Sequence, residues 1–467
     1  MTETAEGDLV GTTLIGGTSG EGTIFKIKKD GSGFTILRNL SASGGDGRSA
    51  YASLTRGSDG QFYGTTRLGS DQGAGTVFAI DALGRGYRIL AGPAATNVAN
   101  PTAAVIEGDN GMLYGNSLSG GTNNSRGALF QLSRDGQGLT RLHDFGATGD
   151  GYFVNAALTK ATNGYFYGVT TLGSALFRVL PDGSDYSVLK LLSSGALNPT
   201  QPLLQGSDGN LYGTTYFSYL AGTTNATNGC IFRIDQDGGN YTVLKFFSDR
   251  LTTGANPKSP LLEGSDGMLY GTTYSGGTTN EAGSVFRINK DGSGFEQLHA
   301  FVGVQGDARH PCGRIVEAAD GFLYGSSERG GVNDQGALFK LDKNGGGYAV
   351  LASFDSSTGA IPRGGVALGP NEALYGTTDQ GGDSGAGTIF RFGTTLEYIS
   401  QVAISNNQVY LTCVGASGTN YVIERNSDLE IPWSWSPVQT TNAPSAGQFQ
   451  IVDQPPVGAR VFYRMKR

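Results

Sequence analysis

Apolar residues in this chain come in short runs separated by turn residues. Residues 260–301 show the pattern most fully: PLLEG (260–264), MLYGTTY (268–274), SVFRIN (284–289) and FEQLHAF (295–301) are rich in β-branched and aromatic residues. Gly, Ser, Asn and Asp fill the gaps between them. Such runs predict four strands, here called a to d, joined by turns. No stretch carries the 3.6-residue period of an amphipathic helix. Strands b and c are apolar in both phases, as at Val285 and Phe286. Successive strand side chains point to opposite faces, so both faces of these strands are expected to be buried between stacked sheets.

The unit returns eight times. Its marker, LYGTT with variations, centres on Gly11, Gly64, Gly115, Gly168, Gly213, Gly271, Gly325 and Gly376, at spacings of 53, 51, 53, 45, 58, 54 and 51 residues. A second marker, such as GTIF or GALF, follows each and ends on Phe25, Phe78, Phe130, Phe177, Phe232, Phe286, Phe339 and Phe390. Four strands per unit at this period predict a β-propeller. The expected fold is all-β: an eight-bladed β-propeller of four-stranded blades over 1–399, followed by a small β-sandwich over 400–467. The blades fall at about 1–45, 46–97, 98–150, 151–195, 196–255, 256–308, 309–360 and 361–399. MTETAEGDLVGTT aligns with LLEGSDGMLYGTT, so blade 1 begins at its own strand a. No spare strand is seen to clasp the last blade to the first, so closure by packing of blade 1 on blade 8 is expected. The tail alternates like sandwich strands, as in YVIERNSDL (421–429), and holds Trp433 and Trp435, at least one of which is expected in its core.

Composition narrows the function. The 467 residues include 77 glycines, more than twice the usual ~7%, yet 10% of residues are aromatic, which separates the chain from disordered glycine-rich sequences. The net charge is −7, with both signs interspersed, and that argues against a nucleic-acid partner, which needs a basic face. No apolar run of about 18 residues predicts a membrane span. The start MTETAE is polar and shows no signal peptide, so a leader is expected to have been removed. Cys230, Cys312 and Cys413 are too scattered for a disulfide framework or a metal site. DQDGGN (235–240) and DKNGGG (342–347) lack the downstream acid of a calcium loop. GGTSGEG (16–22) and GSDQGAG (69–75) precede strands, so no helix N-terminus awaits a phosphate. No cofactor or metal is expected.

The segment DGMLYGTTYSGGTTNEAGSVFRINKDGSGFEQLHAF (266–301) and its seven variants resemble the GloVer-type tandem repeat of bacterial "choice-of-anchor" surface proteins, over some 390 residues. The tail looks like the C-terminal β-modules of secreted bacterial proteins. The resemblance implies a propeller and a secreted or cell-surface location, and it implies no catalytic residues.

Chain direction reverses at each strand, so the a–b and c–d turns should share one face and the b–c and d–a loops the other. The former are short Asp/Asn-Gly turns such as GSDG and KDGSG, where glycine supplies positive φ. The latter vary: TTYFSYLAGTTNATNGCIF in blade 5 against VTTLGSALF in blade 4. Binding residues concentrate on such loops. The densest ionic group there is GDARHPCGR (306–314) with SSERGGVNDQG (326–336), giving Asp307, Arg309, His310, Arg314, Glu328, Arg329 and Asp334. Tyr216, Phe217, Tyr219 and Tyr274 lie next to it. Aromatics beside polar groups suit a sugar, which stacks on rings and bonds through hydroxyls. His143 and His299 share a slot on the outer strand d and are expected to be exposed and inert.

Three functions fit. The first is a non-enzymatic secreted or cell-surface binding propeller whose ligand-binding candidates are Tyr216, Phe217, Tyr219, Tyr274, Asp307, Arg309, His310, Glu328 and Arg329, with a polysaccharide or surface protein as partner. The second is a polysaccharide lyase or hydrolase using His310 with Arg309 or Arg314. The third is a self-associating structural subunit.

Overall fold

The computed structural model describes the chain except residues 30–31, 42–44, 71–72, 93–96, 193–195, 220–225, 370–372, 383–384, 394–397, 406–407, 415–419, 427–435, 443–447, 457–460 and 467. It holds two compact units, Met1–Ala367 with Tyr375–Arg391, and Leu368–Leu374 with Phe392–Arg467. Among the described residues the only helix is Arg250–Thr253. The protein is all-β.

Each of the first seven repeats forms an antiparallel four-stranded sheet in the order a–b–c–d. In repeat 6 these strands are Leu262–Glu263, Leu269–Ser275, Ser284–Ile288 and Glu296–Ala300. The described part of repeat 8 gives three strands, Ala367–Leu368, Leu374–Thr377 and Ile389–Phe392. The loops add an unforeseen feature. Short d–a segments pair with the far end of strand b, as Ala308–Pro311 does with Phe322–Gly330, so the b–c and d–a loops lie together at one edge.

The two markers are one packing device. Gly271 and Phe286 face each other across strands b and c, and a Cβ on Gly271 would stand 2.5 Å from Phe286 Cζ. The phenylalanine ring lies over the glycine, and the same conflict exists at all eight glycines. Adjacent sheets then share cores: Tyr270 and Val285 of repeat 6 pack with Ile315, Leu323 and Phe339 of repeat 7.

Polar ties join the repeats at the tight-turn edge. The Ser265 amide and hydroxyl donate to the Glu317 carboxylate at 2.8 and 2.6 Å, and Lys343 Nζ lies 2.7 Å from the same carboxylate. Ser207, Glu263 and Lys290 repeat this arrangement, as do Ser58, Glu107 and Arg134.

A second junction corrects the expectation for the histidines. His299 is not exposed on strand d. Its ring stacks on Tyr348 of the next repeat at 3.7 Å, and the Tyr348 hydroxyl donates to Asp307. Burial pulls the His299 pKa below its ordinary value, with the Asp307 charge opposing. Burial and the Asp307 hydrogen bond push Tyr348 up. The His143 ring likewise stacks on Tyr186, at 3.5 Å, and the Tyr186 hydroxyl donates to Asp150. Arg38 fills the slot over Tyr87, with Asp46 at 2.6 Å.

Repeat 8 meets repeat 1 through a contact found elsewhere in the unit. The Tyr375 hydroxyl donates to the Lys29 carbonyl at 2.8 Å, as the Tyr167 hydroxyl of repeat 4 does to the Gln236 carbonyl of repeat 5. Lys29 and Gln236 occupy the same position in their c–d turns.

The second unit contains two three-stranded antiparallel sheets. Gln408–Val414 runs between Tyr398–Ser405 and Gln448–Asp453, and Asn420–Asn426 between Ser436–Asn442 and Phe462–Lys466. Val409, Leu411, Cys413, Ile423 and Ile451 form a core drawn from both. Trp433 and Trp435 lie outside the described residues.

Candidate functional site

One backbone feature organises the loop edge. In seven d–a loops the same position is left-handed: Ser49, Asn100, Phe153, Asn198, Asn256, His310 and Ile361, with φ between 54° and 61°. Asparagine and histidine are enriched in this region, whereas β-branched isoleucine and bulky phenylalanine enter it at a cost. Hydrogen bonds hold them there. The His310 amide donates to Ala282 O of the preceding repeat at 2.7 Å, and the Ile361 amide to Gln335 O at 2.8 Å.

Opposite this residue lies the one that follows the LYGTT marker: Tyr216, Tyr274, Glu328 and Asp379 in repeats 5 to 8. Two residues beyond it stand Lys258, Cys312 and Arg363 in repeats 6 to 8. The two series interleave along one arc. The His310 ring stacks on Tyr274 at 4.7 Å and 19°, and Lys258 Nζ sits 4.6 Å from the centre of the same ring. His310 Nδ1 lies 2.8 Å from the Tyr274 carbonyl. A carbonyl only accepts, so Nδ1 carries the hydrogen and Nε2 is the basic nitrogen.

Arg363 bridges the acids of the arc, donating from Nη2 to Glu328 Oε1 at 2.8 Å and from Nη1 to Asp379 at 2.9 Å. Glu328 is only 6% exposed, and its Oε2 is buried without a hydrogen-bond partner. Burial disfavours the ionised form, but the Arg363 hydrogen bond and charge, with Lys258 and Tyr274, outweigh it and hold the carboxyl below its ordinary range. Burial raises Asp379, against Arg363. Burial raises Tyr274, and Glu328 adds to the shift. Burial likewise pushes the Cys312 thiol up to about 11, so at neutral pH it is a thiol and not a thiolate nucleophile.

The residues singled out from sequence divide into two groups. Tyr274, His310 and Glu328 are brought together. Asp307 and Arg309 are not. Asp307 is buried and accepts from the Tyr348 hydroxyl and from the Val302 and Ala308 amides, so it serves the junction between repeats. Arg309 binds Asp334 through both carboxylate oxygens, at 2.8 and 2.7 Å. That corrects the expected His310–Arg309 pair: the guanidinium is committed to Asp334 while the imidazole lies on Tyr274. Arg329 is exposed across the ladder from Arg309, and Arg314 is exposed two residues past Cys312. Tyr216 meets Phe217 edge-on at 4.6 Å, and Phe217 is 42% exposed. The Tyr219 side chain lies outside the described residues. Lys258, Cys312, Arg363 and Asp379 were not anticipated. The signal was present in the sequence: aligning the repeats at the residue after LYGTT gives Arg67, Leu118, Thr171, Tyr216, Tyr274, Glu328 and Asp379, a series that turns aromatic and then acidic.

Among the described residues no group of His, Cys, Asp and Glu is placed to hold a metal ion. No helix is long and apolar enough to cross a membrane.

A family model described as the Gloeobacter/Verrucomicrobia repeat matches residues 1–176 and 173–390. The chain belongs to this repeat family. No curated protein matches it. Similar solved structures include a putative 6-phosphogluconolactonase from Bacteroides fragilis, 14% identical with a TM-score of 0.46, covering 76% of this chain and 97% of that one. The extracellular domain of a putative one component system from B. thetaiotaomicron is 13% identical with a TM-score of 0.43, covering 99% and 67%. A catalytically inactive virginiamycin B lyase from Staphylococcus aureus, solved with quinupristin, is 17% identical with a TM-score of 0.42, covering 71% and 92%. None of these likenesses assigns an activity to the Gloeobacter/Verrucomicrobia repeat chain.

Proposed function

We propose that this Gloeobacter/Verrucomicrobia repeat protein is a secreted or cell-surface binding propeller of eight blades with an appended β-sandwich. It recognises a glycan or protein on the face built from the b–c and d–a loops. The Tyr375–Lys29 hydrogen bond supports closure of the ring, because it repeats a contact made between repeats 4 and 5. The shared core of the two C-terminal sheets supports the sandwich.

The observation that carries the binding reading is the arc itself. The sheets repeat, whereas Lys258, Tyr274, Glu328, Arg363 and Asp379 differ from their counterparts in repeats 2 to 4 and converge on one stretch of rim. A panel of neutral and acidic polysaccharides, scored for binding and for new chain ends, tests it. Binding without cleavage is expected, weakened by Tyr274→Ala. Absence of binding to every polysaccharide would remove the glycan reading.

One observation favours the enzymatic alternative. His310 is held at Nδ1 by a carbonyl, which orients Nε2 as a base would need. Release of unsaturated uronate ends, abolished by His310→Ala, would establish a lyase; no such release is expected.

A further inference from the structure

Each completed sheet carries one strand-d residue toward the repeat that follows it. Thirteen residues beyond the marker phenylalanine this slot holds Arg38, Ala91, His143, Lys190, Lys245, His299 or Ala352. Its partner is the residue immediately before the next strand d. Arg38 lies over Tyr87 at 4.4 Å, Lys190 over Tyr241 at 5.1 Å and Lys245 over Phe295 at 4.4 Å. His143 and His299 stack on Tyr186 and Tyr348. Where the partner is Leu139 the slot holds Ala91, and both pack on one core. A ring at the partner position thus goes with a cation or an imidazole, in keeping with the attraction of a cation to a ring face.

In repeat 1 the partner position is Phe34, and the neighbour on that side is repeat 8. Half of this junction is made. The Tyr375 hydroxyl donates to the Lys29 carbonyl, five residues before Phe34, just as the Tyr167 hydroxyl donates to the Gln236 carbonyl, five residues before Tyr241. The other half is missing among the described residues. Phe34 is 53% exposed, whereas Tyr87, Leu139, Tyr186, Tyr241, Phe295 and Tyr348 are half-buried. Strand c of repeat 8, Ile389–Phe392, has Leu374–Thr377 as its one described neighbour. Phe390 is only half-buried, although the other seven marker phenylalanines are 0% exposed. An unpaired edge presents its N–H and C=O groups to any strand that can reach it. The chain's own sequence supplies no cation for Phe34: thirteen residues beyond Phe390 stands Ala403, which pairs with Tyr410 inside the second unit.

We propose that the open edge of Ile389–Phe392 accepts an extended segment of a partner protein as a fourth strand, with a lysine or arginine of that segment over Phe34. The completed sheets specify the segment. It runs antiparallel to strand c and sets an apolar residue opposite Phe390, as Val188 and Val243 stand opposite Phe177 and Phe232. Its cation comes two residues later, as Lys190 and Lys245 do. In strand addition the backbone hydrogen bonds give affinity and the side-chain seats give specificity. This edge is separate from the loop face and does not rest on the glycan reading.

The test uses the whole chain and a synthetic peptide copied from repeat 5, NYTVLKFFSD (240–249), followed by fluorescence anisotropy. Saturable binding is expected, about fivefold weaker for the peptide carrying Lys245→Ala. Methylating the peptide amides that face strand c should abolish binding, and methylating the alternate set should not. Phe34→Leu recreates the Leu139 arrangement, so the two peptides should bind this variant alike. Absence of binding, equal binding of both peptides to the unaltered chain, or indifference to amide methylation would each overturn the proposal. A lysine preference that survives in Phe34→Leu would overturn the seat on Phe34. A chain that elutes as a dimer and is split by the peptide would overturn the partner protein in favour of a second copy. Thermal unfolding checks that Phe34→Leu is folded; if it is not, the peptide comparisons on the unaltered chain still decide.

Discussion

Gly271 and Phe286 show how one residue pair sets the repeat. The glycine is required not for its backbone angle but for space, since Phe286 occupies the volume a Cβ would take. Gly271→Ala should therefore destabilise by about 1–3 kcal/mol, the usual cost of overpacking a filled core, read from the midpoint of denaturant unfolding. An unchanged midpoint would show that the ring can move aside. At this scale the sequence was partly legible. Tyr274 and Glu328 were found because they do not repeat. Lys258 and Arg363 were missed because their loops align only through the left-handed residue, which is Ser, Asn, Phe, His or Ile. A backbone requirement met by so many side chains leaves no mark in the sequence.

The strands themselves were legible because each is a short apolar run between Asp/Asn-Gly turns, and eight copies average out the irregularities of any one. The junctions between them were not. Asp307 and Tyr348 lie in different repeats, and nothing local in LHAF or GDARHPCGR marks them as partners. The junction has a measurable consequence. His299 is folded with its pKa below the ordinary 6.5, so the unfolded chain binds the proton more tightly. Its contribution to stability is complete above about 6.5 and declines as pH falls through that value, by at most about 1.4 kcal/mol per pH unit. The stability difference between the unaltered chain and His299→Gln should thus shrink between pH 7.5 and 5.5 in paired urea titrations. A difference independent of pH would mean that His299 is as free to titrate in the fold as out of it.

Over the larger unit, the contact between repeats 8 and 1 can be weighed against one inside the series. Tyr375→Phe removes the hydroxyl hydrogen bond to Lys29, and Tyr167→Phe removes the matching bond to Gln236 together with one accepted from Asn163. At about 1 kcal/mol per bond, Tyr167→Phe should cost more, and Tyr375→Phe should still cost about 1 kcal/mol if the series closes as a ring. A silent Tyr375→Phe beside a destabilising Tyr167→Phe would leave the ends unjoined. The sheets carry a further implication. Every four-stranded sheet is drawn from one uninterrupted segment of chain, and none borrows a strand from another repeat. A cut between strand d and the d–a segment that pairs with the next strand b, as at Val302–Gln305, therefore severs no sheet, and a circularly permuted chain could begin there. By the same token, unequal crossing-over between two copies of the LYGTT coding sequence would add or delete one whole sheet at a time. Kinship among such chains would then be recorded in the number of copies as much as in their residues.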